Sequence, residues 1–198
     1  MAQLRDDEYV ALRATIRERG TARPILFVAT LAGWALLMLI TLASSPRPLS
    51  FLFPLMSLAA GFEAVFHLHI GVERIGRYLQ VFYEGDAGEN PGVGWESTAM
   101  AYGRQFPGAG SDPLFAAVFV LATALNLAPT LFVERRSGAF AIAALAHLAF
   151  LVRISLARRR AAHQRALDLA RFRQIQADRQ LGPEPGGDRR EPEGGAAA

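Results

Sequence analysis

Four long runs of apolar residues, set apart by turn-forming or charged stretches, dominate the chain. The first lies within 23 uncharged residues between Arg23 and Arg47. A helix crossing about 30 Å of hydrocarbon needs about 20 residues at about 1.5 Å each, so 24–43 is predicted as a first membrane span. Pro24 suits the first turn of a helix, where its missing N–H costs nothing. Ser44, Ser45, Pro46 and Pro48 end the pattern in a tight turn.

The second run, 49–70, is interrupted only by Glu63 and carries His67 and His69 near its end. The third, 114–132, lies in 21 uncharged residues between Asp112 and Glu134 and holds Asn126 and Pro129, the latter expected to kink its far end. The fourth has only 16 uncharged residues between Arg136 and Arg153. It reaches span length as 138–157 if Arg153 snorkels its guanidinium to the interface, which leaves His147 near mid-membrane. A soluble helix of this length carries a polar stripe, and the first and third runs have none. A barrel needs period-two alternation, which is also absent. The predicted fold is therefore all-α: an integral membrane bundle of four transmembrane helices, with amphipathic cytoplasmic helices at both termini.

The flanks complete this outline. Residues 1–23 place Tyr9, Leu12 and Ile16 at helical spacing between arginines, which predicts an amphipathic helix. Asp6, Asp7 and Glu8 ahead of a long apolar run argue against a secretory signal peptide. Residues 158–181 are predicted to continue the fourth span as a helix, and the Pro, Gly and charge composition of 182–198 predicts disorder. The central loop, 71–112, is helical at its start, where Ile75, Leu79 and Phe82 share a face and Glu73 precedes Arg77 by four residues.

Arginine bias sets the orientation. Arg5, Arg13, Arg17, Arg19 and Arg23 precede the first span, Arg74, Arg77 and Arg104 lie in the central loop, and Arg158, Arg159 and Arg160 open the C-terminal segment. The two short turns hold only Arg47 and the pair Arg135 and Arg136. Four spans put the three rich segments on one side, so both termini are expected in the cytoplasm, with the chain multi-pass in the plasma membrane. The arginine-rich termini are expected to meet anionic lipid, and the runs at 158–160 and 189–190 fit topology and lipid better than nucleic acid. A second copy of the chain or a cytoplasmic protein is the other expected partner.

All 21 basic residues are arginine and there is no cysteine. Lysine catalysis, disulfides, thiolate metal sites and cysteine nucleophiles are thereby excluded. Phosphate-binding glycine loops, nucleophile elbows and aspartate-rich metal motifs are absent too, so no cofactor is expected.

The central loop contains Ile75-Gly76-Arg77-Tyr78-Leu79, then Glu84, then Gly94-Trp95-Glu96. This run resembles a pattern in uncharacterised small prokaryotic multi-pass membrane proteins, over about the N-terminal half of the chain. Those proteins also begin with an acidic and basic helix, as residues 7–19 do here. The resemblance implies a membrane location and brings no activity with it. It does make Glu73, Arg77, Tyr78, Glu84, Trp95 and Glu96 the loop residues of interest.

Within the spans, Glu63, His67, His69, Asn126 and His147 are the polar candidates. Glu63 and His67 share one helix face, His69 and Glu73 another, so a metal site would have to draw on more than one helix, with His147 as a further ligand. A structural polar contact is the plainer reading, and Asn126 fits an interhelical hydrogen bond. Ala29 with Gly33, and Ala60 with Ala64, are expected to let helices approach closely. Three functions fit: a non-enzymatic scaffold, regulator or partner subunit acting through the loop and termini; an oligomeric pore or membrane-perturbing effector lined by Glu63, His67 and Asn126; and a small membrane enzyme or metal transporter built on Glu63, His67 and His69. The first fits the composition best.

Overall fold

A computed structural model describes residues 2–44, 47–84, 94–105, 112, 114–133 and 138–181. The turn at Ser45 and Pro46, the glycine-rich part of the loop, Arg135 and Arg136, and the tail 182–198 lie outside the described residues. The described chain is all-helical, without a strand.

Helix α1, Ala2–Ala43, is 42 residues long and has Pro24 in its interior. This differs from the expectation that Pro24 opens a new helix. Contacts to the next helix on both sides of the proline hold the axis. The Arg23 guanidinium donates to His69 Nδ1 at 3.3 Å, and Phe27 packs against the core. A 3-10 turn, Pro48–Phe51, leads into α2, Leu52–Leu79, which ends in a π-helical turn, Gln80–Glu84. Helix α3 spans Trp95–Gln105. Helix α4, Ala116–Leu127, breaks at Ala128 and Pro129 before the single turn α5, Thr130–Val133. Helix α6, Gly138–Leu181, runs unbroken for 44 residues.

Three of these helical stretches, Arg5–Ala43, Pro48–Glu84 and Gly138–Gln180, are long and apolar enough to cross a membrane. The fourth apolar stretch, Ala116–Phe132, is shorter, and within it α4 and α5 are parted at Pro129, which cannot donate to the helix ladder. The kink expected there is a full break.

Side-chain pairings fix the directions. The start of α1 meets the end of α2, where Arg5 donates to the Phe82 carbonyl and Tyr78 donates to Glu8 at 2.9 Å. The end of α6 meets the same place, with Phe172 edge-on to Tyr78 and Phe82. Helix α4 runs alongside α1 in the same direction, since Phe115 stacks on Phe27 with centroids 4.2 Å apart and Asn126 accepts from Trp34. The four apolar helices therefore alternate in direction. Their core is aromatic: Phe62 meets Phe119 and Phe150 edge-to-face, with centroids 5.2 and 5.9 Å apart, geometry favoured by the ring quadrupole.

The outside of the same zone is as apolar as the inside. Leu36, Leu39 and Ile40 on α1, Phe53 and Met56 on α2, Leu121 and Leu125 on α4, and Leu145 and Leu148 on α6 are all exposed. Water-soluble monomers rarely leave so much contiguous apolar surface open.

Close approach of α1 and α2 depends on Gly61. A Cβ there would lie 2.6 Å from Thr30 Cβ, so any side chain forces the helices apart. The expected contacts were offset by a position. Gly33 does face Ser57, but Ala29 and Ala60 are exposed.

Candidate functional site

The polar residues fall at three levels along the bundle. The deepest is a closed node. Asn126 accepts from Trp34 Nε1 at 3.2 Å and donates through Nδ2 to the Phe51 carbonyl at 2.9 Å and to His147 Nε2 at 2.8 Å. His147 Nδ1–H donates to the Ala143 carbonyl at 2.7 Å, which places the ring proton on Nδ1. Both amide hydrogens, the amide oxygen and both ring nitrogens are used, so Asn126 and His147 join α1, the 3-10 turn, α4 and α6. Groups so bonded are costly to separate in an apolar medium, and every N–H proton of the Asn126 amide and the His147 ring is already engaged.

At the next level Glu63 and Arg153 form an ion pair at 2.6 Å between α2 and α6, and the guanidinium lies 5.0 Å from the Phe66 ring centroid. The sequence expectation sent Arg153 to the interface alone. The structure turns it to Glu63, because two opposite charges at one height on neighbouring helices solvate one another. His69 is buried against Arg23, whereas His67, two residues earlier, is exposed on the outer surface. Glu63, His67, His69 and His147 therefore each have separate surroundings. Among the described residues no three His, Cys, Asp or Glu side chains gather where one cation could reach them.

The third level is a polar head made by the start of α1, the end of α2 and the end of α6. Glu73 accepts from Arg77 at 2.7 Å and from Arg165 of α6 at 3.0 Å. Arg74 reaches Asp168 at 3.5 Å. The last carbonyls of a helix have no partner within it; here Val81 O accepts from Gln176 at 3.1 Å and Phe82 O from Arg5, so side chains from two other helices cap the π-helical turn. Beyond the apolar stretch, Tyr78 and Tyr83 face Glu8. Burial, reinforced by that carboxylate, raises the Tyr78 phenol and pushes Tyr83 up to about 12.

Helix α3, which the sequence reading did not anticipate, hangs from this head by one carboxylate. Glu84 Oε2 accepts from Ser97 N at 2.9 Å and from Ser97 Oγ at 2.8 Å, supplying an acceptor and a negative charge to the first turn of α3. Gly94 lies so near the Glu84 carboxyl that a Cβ would overlap it. Glu84 and Gly94, which carried part of the loop resemblance, thus form a structural clamp. Trp95, 69% exposed, is presented at the start of α3. Glu96 lies in the same turn, with its side chain outside the described residues. A turn-rich stretch ahead of Trp95 hid this helix, though Glu84, Gly94 and Ser97 were its visible parts.

Asp112 was read only as a boundary of the third run. It accepts from Leu114 N at 3.1 Å and Ala116 N at 2.9 Å, which caps α4 and supports Phe115 in a left-handed conformation, φ 49°. Comparison with family models, with curated proteins and with solved structures finds no match.

Proposed function

We propose that this chain is a four-span plasma-membrane protein that acts without catalysis, as a scaffold or partner subunit presenting its polar head and α3 to the cytoplasm. One observation carries the membrane part: the zone with the aromatic core is also apolar on its outer face, which suits lipid as solvent. The crossing number is supported by where the ends meet. Arg5 of α1 and Gln176 of α6 bind neighbouring carbonyls of one π-helical turn, so both ends lie on one side and the number of crossings is even. Beside the three long helices this favours Ala116–Phe132 as a fourth crossing. As the shortest, it is accommodated by local thinning of the bilayer. Arginine content puts the head in the cytoplasm.

The partner reading draws on α3. A carboxylate clamp holds this helix against the head and leaves Trp95 open, and aromatic anchors of this kind dominate protein contacts. The pore reading finds less support. Glu63 is neutralised by Arg153, Asn126 is fully bonded and His67 lies outside the bundle, so the three share no path within one chain.

The absence of cysteine permits a direct test. Single cysteines at Ser45, Ser97, Ser137 and Ala198 are probed in intact cells with an impermeant thiol reagent. Labelling at 45 and 137, but not at 97 or 198, is the expected result; labelling at 97 overturns the orientation. A photo-crosslinking residue at Trp95 then reports the partner. A discrete protein adduct supports the subunit reading, and adducts to lipid alone overturn it.

A further inference from the structure

We propose that a cavity between α2 and α6, at the boundary of the apolar zone and the head, is a binding site for the headgroup of an anionic glycerophospholipid. This deepens the membrane reading above and rests on it. The cavity has a volume of about 610 Å³. Its floor is apolar, made by Phe66 and Ile70 of α2 and Leu156 of α6, and its rim carries the cations Arg74, Arg159 and Arg160, with His163 beside them.

Three features point to an anionic amphiphile. The first is height. Helices α2 and α6 run in the same direction here, and each passes from apolar to basic within two turns, so the guanidinium groups stand level with one another at the edge of the uncharged runs. Arginine forks match phosphate oxygens in geometry as well as charge.

The second is charge balance. Among the described residues Arg159 and Arg160 have no ion pair, no carboxylate lines the cavity, and Asp168 beyond it is engaged by Arg74. Arg153 is paired with Glu63, and Arg77 and Arg165 share Glu73, whereas the three arginines of the rim have only Asp168 among them. The rim thus carries more positive than negative charge.

The third is the apolar track leading away from it. Leu148, Val152 and Leu156 are four residues apart along α6, and all three are exposed. On a helix such residues form one line, which runs from the cavity floor down the outer face of the apolar zone. A free phosphate uses the rim and leaves this track bare. A phospholipid uses both, with its phosphate among the arginines and an acyl chain along the leucine and valine side chains. Basic pockets between membrane helices on the cytoplasmic side take lipid headgroups in this manner.

The test uses the purified full chain in neutral detergent. Native mass spectrometry measures its binding of phosphatidylglycerol and of phosphatidylcholine, with glycerol phosphate as a soluble competitor. The proposal requires phosphatidylglycerol to bind preferentially and glycerol phosphate not to displace it. Substituting Arg159→Gln and Arg160→Gln together is expected to weaken phosphatidylglycerol binding by about thirtyfold, a factor of about five per arginine lost. Substituting Arg189→Gln and Arg190→Gln removes the same charge from the tail and is expected to leave binding unchanged. Leu156→Trp keeps every charge and fills the floor, and is expected to weaken binding too.

Equal binding of the two lipids, an unchanged preference in the Arg159/Arg160 variant, or equal loss in the tail variant overturns the site. Displacement by glycerol phosphate replaces the lipid with a soluble anion and also overturns it. Failure here and failure of the membrane reading are distinguishable, because thiol labelling in cells reports topology whatever lipid is bound.

Discussion

Around Asn126 each polar atom has its counterpart within hydrogen-bond reach. Around Arg159 and Arg160, further along the same helix that carries His147, cations stand without a carboxylate among the described residues. One chain thus uses polarity in two ways. Deep in the bundle, where no water can substitute for a lost partner, polar groups are spent on one another and serve to set helix order. At the head boundary, unpaired charge is tolerated because solvent or lipid supplies what the protein does not. Polar residues buried at the Asn126 node hold the architecture, and the surplus cations at the edge are where the proposed lipid contact is to be tested.

The sharpest way to break that contrast is Asn126→Leu. It strands the Trp34 N–H, the Phe51 carbonyl and His147 Nε2 together, and is expected to cost about 2–4 kcal/mol, read as a fall in Tm of the purified chain in detergent. Arg159→Gln in the same assay is expected to stay within about 0.5 kcal/mol; a comparable fall in both would erase the distinction. Gly61→Ala asks whether the deep zone is as closed in packing as in bonding. Overlap with Thr30 is expected to cost about 1–3 kcal/mol, largely recovered when Thr30→Gly, which also removes the Thr30 Cβ, is added.

Glu63→Gln lies between the two regimes. The pair is about one-third exposed, 36% at Glu63 and 29% at Arg153, so the expected loss is about 1–2 kcal/mol, below that of a fully buried pair. Leu at both positions should restore most of it, and failure to do so would show that the pair is held by more than its own desolvation. The smallest effect is in the head. A phenol raised on folding contributes stability that is complete below the ordinary tyrosine value near 10 and is lost as the pH rises through about 12. Tyrosinate absorbance should therefore show Tyr83 and Tyr78 ionising above the ordinary tyrosine value, and Glu8→Gln should bring both earlier.

The long apolar helices were legible in the sequence because runs without charge are a one-dimensional signal, readable without knowing the neighbours. Their partners were not. Glu63 and Arg153 are 90 positions apart in the chain, and nothing local to either names the other. Asn126 was recognised as an interhelical donor, yet its link to His147 depended on α4 and α6 arriving at one height. Pro24 misled because a proline signals helix start only when nothing tertiary holds the chain on both sides of it. The third apolar run looked long enough by composition, but Pro129 ended its helix early.

The polar node and the ion pair also bear on how such a chain is made. Synthesis delivers α1 first and α6 last, so in the four-crossing reading most polar residues emerge to find their partners waiting. Asn126 arrives after Trp34 and Phe51, His147 after Asn126, and Arg153 after Glu63. Glu63 precedes Arg153 by 90 positions, so within this pair the carboxylate is delivered first. The ribosome thus releases each later helix with its docking position already specified.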